Sequence, residues 1–236
     1  MPLDLYLGPM FAGKSTAILG IIRRNKVIGR KTLCLTSAID RRYSKDARIM
    51  SHNLDSAPAV AVTHLTDLIH SPEVLAADCI IIEEAQFFPD LKDFVLPVID
   101  TLQKHVICVG LDGDSSRRPF GQLLDLVPYA DTIQKLTALC ARCADGTEAI
   151  FTYRQPGAPT TQVNVGAADQ YEPLCRRHFL EGELDKSLAT RDRDGLKQFF
   201  RTHIEPVCRD TTEILDRLVG HLGMDRGSSA FSLLQT

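Results

Sequence analysis

A chain of 236 residues, 44% of them hydrophobic, is long enough for one medium domain with a real core, or for one domain with a small appendage. A formal net charge of −3 and the absence of tryptophan argue against strong non-specific nucleic-acid binding and a broad base-stacking surface. No apolar run approaches membrane-spanning length, and no basic stretch with an apolar run precedes residue 4, so the expectation is a cytoplasmic protein without a membrane partner or secretory leader.

Asp4-Leu5-Tyr6-Leu7 is a short, mostly apolar run expected to form a strand. Gly8-Pro9-Met10-Phe11-Ala12-Gly13-Lys14-Ser15 follows, matching G-x-x-x-x-G-K-[ST] at every position, the phosphate-binding P-loop pattern. Glycines let the backbone turn its N–H groups onto phosphate oxygens. Lys14 supplies a point charge for the outer phosphates, and Ser15 offers a hydroxyl to Mg²⁺. From Thr16 to Ile28, the helical spacing of Ala17, Ile18, Ile21 and Ile22, stopped by Gly29, predicts a helix whose positive end faces the anion.

Lys31 to Thr36 alternates and predicts a strand, followed by the charged loop Ser37 to Asp46, which leaves the sheet on the side where open α/β sheets bind ligands. Ala59 to Val62 predicts a short strand and Leu65 to Leu75 a short helix. His52, His64 and His70 lack metal-like spacing and are expected on surface or loop. Asp78-Cys79-Ile80-Ile81-Ile82-Glu83-Glu84 is an apolar run ending in acids, the way a buried parallel strand delivers carboxylates to a nucleotide edge. Ala85-Gln86-Phe87-Phe88-Pro89-Asp90 sets two aromatics beside them. Leu91 to Lys104 predicts a helix interrupted near Pro97, and His105 to Gly113 another buried strand. Arg117 to Gly121 is a basic loop with one aromatic, while Leu123 to Leu126 and Ile133 to Leu139 are expected in the core. Strands alternating with helices predict a parallel α/β sheet.

A second signal is Cys140-Ala-Arg-Cys143 with Cys175-Arg-Arg-His178, two knuckles able to close a tetrahedral structural zinc site. Two of the seven cysteines form the C-x-x-C pair and most of the others lie in apolar runs, which suits a reducing compartment with a metal site better than a disulfide scaffold. The strand-like stretches 150–153 and 161–165 predict a hairpin pinned at its base by the metal. Beyond Glu183 the composition shifts; Leu196 to Ile204 and Val207 to Leu222 have helical spacing, and the last dozen residues are expected to be disordered.

Taken together, Gly8 to Ser15, Asp40-Arg-Arg-Tyr43, Glu84 to Asp90, Leu111-Asp-Gly113, Arg118 to Gly121, Lys135-Leu-Thr137 with the Cys140/Cys143 pair, and Gly166 to Tyr171 before Cys175 and His178 resemble the zinc-containing, type II thymidine kinases in family order over residues 3–180. The resemblance implies a P-loop NTPase-type parallel sheet with helices on both faces, a small zinc-pinned lasso and a helical tail. It suggests a kinase domain at 1–138, a lasso domain at 139–182 and an extension at 183–236. It implies transfer of the γ-phosphate of ATP to the 5′-hydroxyl of thymidine. ATP and Mg²⁺ would be held by Gly8, Pro9, Met10, Phe11, Ala12, Gly13, Lys14, Ser15, Thr16, Asp40 and Glu83. Glu84 would be the general base, Lys14 would act on the phosphates, and Arg42 would stabilise charge on the transferring group. Met10, Gln86, Phe87, Phe120, Thr152 and Tyr171 would line the thymidine pocket, with Val163, Val165 and Gly166 reading the base. Structural zinc on Cys140, Cys143, Cys175 and His178, a homotetramer and feedback inhibition by dTTP follow from the same resemblance. Glu83 departs from it, standing where Asp is usual. Alternative readings are a kinase for another nucleoside and a nucleotide-binding regulatory module with a partner-recruiting zinc hairpin.

Overall fold

The structure is a computed structural model that describes residues 2–39, 48–50, 56–157, 170–190 and 192–203. In chain order, β1 (Leu3–Leu7), α1 (Lys14–Val27) and β2 (Thr32–Ser37) are followed by three short strands, β3 (Arg48–Met50), β4 (Ser56–Pro58) and β5 (Val60–Val62). Then come α2 (Pro72–Ala76), β6 (Cys79–Glu83), α3 (Leu91–Asp100), β7 (His105–Gly110) and β8 (Thr132–Lys135). The remaining elements are β9 (Ala138–Leu139), β10 (Glu148–Ala149), β11 (Phe151–Arg154), β12 (Tyr171–Leu174), α4 (Arg176–Ala189) and α5 (Arg193–His203). The chain divides into two compact units, Met1–Arg176 and Arg177–Thr236.

The first unit is built on a six-stranded sheet ordered β5-β2-β6-β7-β1-β8, parallel at every pairing. Strand alternation splits its core into two faces. Leu3, Leu5, Leu7, Ile80, Ile82, Val106 and Cys108 pack with Phe94, Val95 and Val98 of α3. Tyr6, Cys79, Ile81, Ile107 and Val109 pack with Ile18 and Leu19 of α1. Burial on both faces explains why β6 and β7 read as nearly unbroken apolar runs.

Three expectations change. The stretch Leu65 to Leu75 is not one helix: a 3-10 turn at Thr66–Leu68 precedes α2, because Ser71 caps a new start by accepting from the Val74 N–H at 3.2 Å, with Pro72 at the first helical position. Helix α3 runs through Pro97 and ends three residues later, with the Thr101 N–H donating to the Pro97 carbonyl. The stretch Ile133 to Leu139 is core only in part: the edge strand β8 is exposed throughout, with Ile133 45% accessible, and Leu139 of β9 is 65% accessible, while Ala138 is buried and Leu136 packs against the α1 face.

In the second unit, α5 buries Leu196 and sets the Phe199 ring 5.1 Å from that of His203. The helix expected over 207–222 and the last dozen residues, expected to be disordered, lie outside the described residues. Among the described residues, no helix is long and apolar enough to cross a membrane.

Candidate active site

The P-loop leaves β1 and closes into α1. A side chain at Gly8 is impossible without moving backbone, since a Cβ there would lie 2.4 Å from the Leu136 carbonyl oxygen. That carbonyl is fixed by its own residue, whose N–H donates to the Leu7 carbonyl at 2.8 Å. Phe11 sits at φ 65°, so the loop stores strain on the order of 1–3 kcal/mol. The first turn of α1 carries no acidic residue of its own, while Arg24 and Lys26 lie in its last turn, so the helix directs the positive end of its dipole at Gly13 and Lys14. The Lys14 ammonium donates to the carbonyls of Gly8 at 3.1 Å and Pro9 at 2.6 Å, which holds the charge within the loop.

The acids diverge at the end of β6. Glu83 keeps the strand's alternation and stays on the α1 face, where the Ser15 hydroxyl donates to its Oε1 at 2.6 Å. Serine hydroxyl and carboxylate together make a hard oxygen donor set suited to Mg²⁺. Glu84 lies at φ 52°, ψ 42°, a left-handed conformation that ends the strand and starts a 3-10 turn at Ala85–Phe87. It therefore leaves the alternation, and the two carboxylates are presented separately. The Gln86 amide donates to Glu84 Oε2 at 2.6 Å. Phe87 and Phe120 meet edge to face with centroids 5.6 Å apart. Phe120 is placed by a loop folded around the buried Asp114, which accepts from the N–H groups of Ser116 and Arg118 and from the Arg118 guanidinium. Lys135 pairs with Asp112 at the mouth of the same loop.

The Met10 N–H donates to the Thr152 hydroxyl at 2.9 Å, tying the P-loop to β11. The return strand of β11 is β12, with Phe151 opposite Leu174 and Arg154 opposite Tyr171. The strand expected at 161–165 lies outside the described residues, as do Asp40, Arg42, Val163, Val165, Gly166 and His52. His64 and His70 are exposed. Tyr171 is buried beside the Arg154 guanidinium, 5.7 Å from its ring centre.

At the base of this ribbon the ligand atoms of Cys140, Cys143, Cys175 and His178 all lie within 4.8 Å of one another. The Cys143 and Cys175 sulfurs are 3.9 Å apart, against about 3.8 Å for two thiolates on one tetrahedral zinc at 2.3 Å each. Desolvation and the adjoining Cys140 and Cys175 thiols push the Cys143 thiol up to about 11, and a dication among them would reverse that preference. The cluster fits zinc, and four protein ligands leave no open position for chemistry. Its frame is local: the Ala141 N–H donates to the Pro173 carbonyl, and Arg142 pairs with Glu172 while covering the Tyr153 ring. The remaining cysteines of the sheet are a different case. Burial raises the thiol pKa of Cys34 to about 12 and also raises those of Cys79 and Cys108, which makes them inert core residues.

The family model described as thymidine kinase matches residues 1–179. The chain belongs to the thymidine kinase family. It is 42% identical over 184 residues to thymidine kinase a of Arabidopsis thaliana, covering 75% of this chain and 74% of that protein. It is 37% identical over 174 residues to the cytosolic thymidine kinase of Homo sapiens, covering 74% and 71%. It is 34% identical over 179 residues to the thymidine kinase of Variola virus, covering 76% and 97%. Within the family frame, sequence reasoning missed the Gln86–Glu84 and Met10–Thr152 contacts, neither of which has a spacing signal.

Proposed function

We propose that the protein transfers the γ-phosphoryl group of ATP to the 5′-hydroxyl of thymidine, giving ADP and dTMP. The observation that carries this reading is the meeting, at one sheet edge, of the phosphate loop with two separately presented acids: Glu83 on Ser15, and Glu84 turned away from it. Phosphoryl transfer needs little covalent help, so positioning and charge neutralisation supply the rate.

In this reading residues Gly8 to Thr16, with Asp40, hold the phosphates, and Lys14 neutralises their charge. Ser15 and Glu83 would hold Mg²⁺, which would supply positive charge against the phosphates. The Glu84 carboxylate accepts the 5′-hydroxyl proton as the new O–P bond forms and the bond to the β–γ bridging oxygen breaks, with ADP leaving. Arg42 stabilises the transferring group. Met10, Phe87, Phe120, Thr152 and Tyr171 form a flat apolar pocket that excludes water, and Val163, Val165 and Gly166 supply backbone groups to the thymine edge. Residues 1–138 act as the kinase domain, 139–182 as the zinc-held lasso and 183–236 as an extension. A cytoplasmic homotetramer inhibited by dTTP completes the proposal.

The test is ADP production with thymidine, deoxyuridine, deoxycytidine and deoxyadenosine. Thymidine should give the highest kcat/KM and dTMP as product. Equal rates with deoxyadenosine, or no rate with any nucleoside, would overturn the reading.

A further inference from the structure

Gln86 is 3% exposed, yet its carboxamide lies on the side chain assigned as proton acceptor. Its Oε1 accepts from the Leu111 N–H at 3.1 Å, and its Nε2 donates to Glu84 Oε2 at 2.6 Å. The two contacts fix the amide's orientation. Leu111 N–H can only donate and a carboxylate can only accept, so a flipped amide would set donor against donor and acceptor against acceptor.

The residue is clasped as well as bonded. A Cβ at Gly110 would lie 2.3 Å from Gln86 Oε1, and one at Gly121 would lie 2.2 Å from the Gln86 carbonyl oxygen. The end of β7 and the turn after Phe120 therefore close on Gln86 through bare backbone. Two residues back, the left-handed backbone of Glu84 takes it out of the sheet's regular alternation. A buried, oriented donor at 2.6 Å from Oε2 holds the carboxylate there.

We propose that Gln86 is a positioning residue, whose amide, held by the Leu111 N–H, fixes the Glu84 carboxylate in the geometry for taking the 5′-hydroxyl proton. The proposal rests on the reading of Glu84 as general base. Gln86, expected from the resemblance to line the thymidine pocket, is buried at 3% exposure and in this proposal acts through Glu84.

The experiment is a double-mutant cycle on the full-length, metal-replete protein. Gln86→Met keeps the volume and removes both hydrogen bonds; Gln86→Glu keeps the shape and an acceptor for Leu111 but loses the donor. Each is measured alone and with Glu84→Gln, by single-turnover phosphoryl transfer and equilibrium binding of thymidine and ATP. In the Glu84 background, both substitutions should lower the transfer rate roughly 10- to 100-fold with both dissociation constants unchanged. In the Glu84→Gln background that loss should vanish, because the group being positioned no longer takes a proton. The same loss in both backgrounds would overturn the proposal. So would a loss confined to thymidine binding, which would make Gln86 a substrate contact, or failure of both Gln86 variants to fold. An active Glu84→Gln protein would instead defeat the general-base reading.

Discussion

At the carboxyl edge of the sheet, Ser15 and Glu83 meet because α1 and β6 are each locked into a common apolar core, with Ile18, Leu19, Cys79 and Ile81 packed together. Around Cys140 and Cys175 the local frame is much smaller. Two-residue strands and one short ribbon lead into the three cysteines and the first turn of α4 carries His178, with backbone hydrogen bonds, one Arg142–Glu172 pair and the convergence of four ligand atoms. The first region is ordered by burial of side chains far from the chemistry; the second adds a four-ligand cross-link to a small buried set of its own, Ala149, Tyr153 and Leu174 among it. Damage to the two should therefore look different. Losing the Glu84 carboxylate at the sheet edge should stop chemistry while leaving binding, and losing a thiolate should loosen substrate recognition while leaving the nucleotide loop intact.

The sharpest way to break that contrast is Glu84→Gln, which should lower kcat by roughly 10²–10⁴-fold while thymidine and ATP still bind, measured by steady-state kinetics and calorimetry. Next, Phe94→Ala empties a fully buried site between α3 and the sheet and should cost about 3–5 kcal/mol in chemical denaturation, more than any single change at the cysteines takes from the sheet's own stability. Cys143→Ser should reduce metal content below the roughly one zinc per chain of the parent and raise thymidine KM on the order of tenfold, with ATP affinity little altered. Metal analysis paired with kinetics checks both halves. Glu83→Gln should raise the Mg²⁺ concentration for half-maximal rate severalfold with a smaller loss of kcat at saturation.

The smallest effect concerns Asp90. Partial burial opposes its charge, but donors from Thr66 outweigh that and hold the carboxyl below its ordinary 3.8. A depressed carboxyl stabilises the fold above its unfolded value and loses that contribution as pH falls through the folded one. Asp90→Asn should thus be slightly less stable than the parent at neutral pH, and the gap should close in melting curves as pH drops below 3.8.

Much of the sheet edge was legible because its chemistry fixes residue types at fixed spacing: the run from Gly8 to Ser15 and the acids after Ile82 announce a strand, a turn and a helix N-terminus. The four metal ligands were legible for the same reason. What sequence did not carry was backbone detail and pairing. Nothing in Glu83-Glu84 signals that the second acid turns left-handed, so period-two alternation alone foresaw only that the acids face apart. Ile133 looks like core, but its strand β8 falls at the edge of the six-stranded sheet, a matter of order between distant segments, and Leu139 belongs to β9 in a separate two-stranded sheet. The partner of β11 follows from long-range register, which apolar spacing does not encode.

The central claim is that this sheet edge performs thymidine phosphorylation, and the most direct measurement is dTMP formation from ATP and thymidine by the parent protein and by Lys14→Ala. The account predicts dTMP and ADP in equal amounts from the parent. It predicts almost none from the folded variant, whose loop has lost the one ammonium that bridges Gly8 and Pro9. A parent that makes no dTMP, or a Lys14→Ala protein that makes it at the parental rate, would contradict the account.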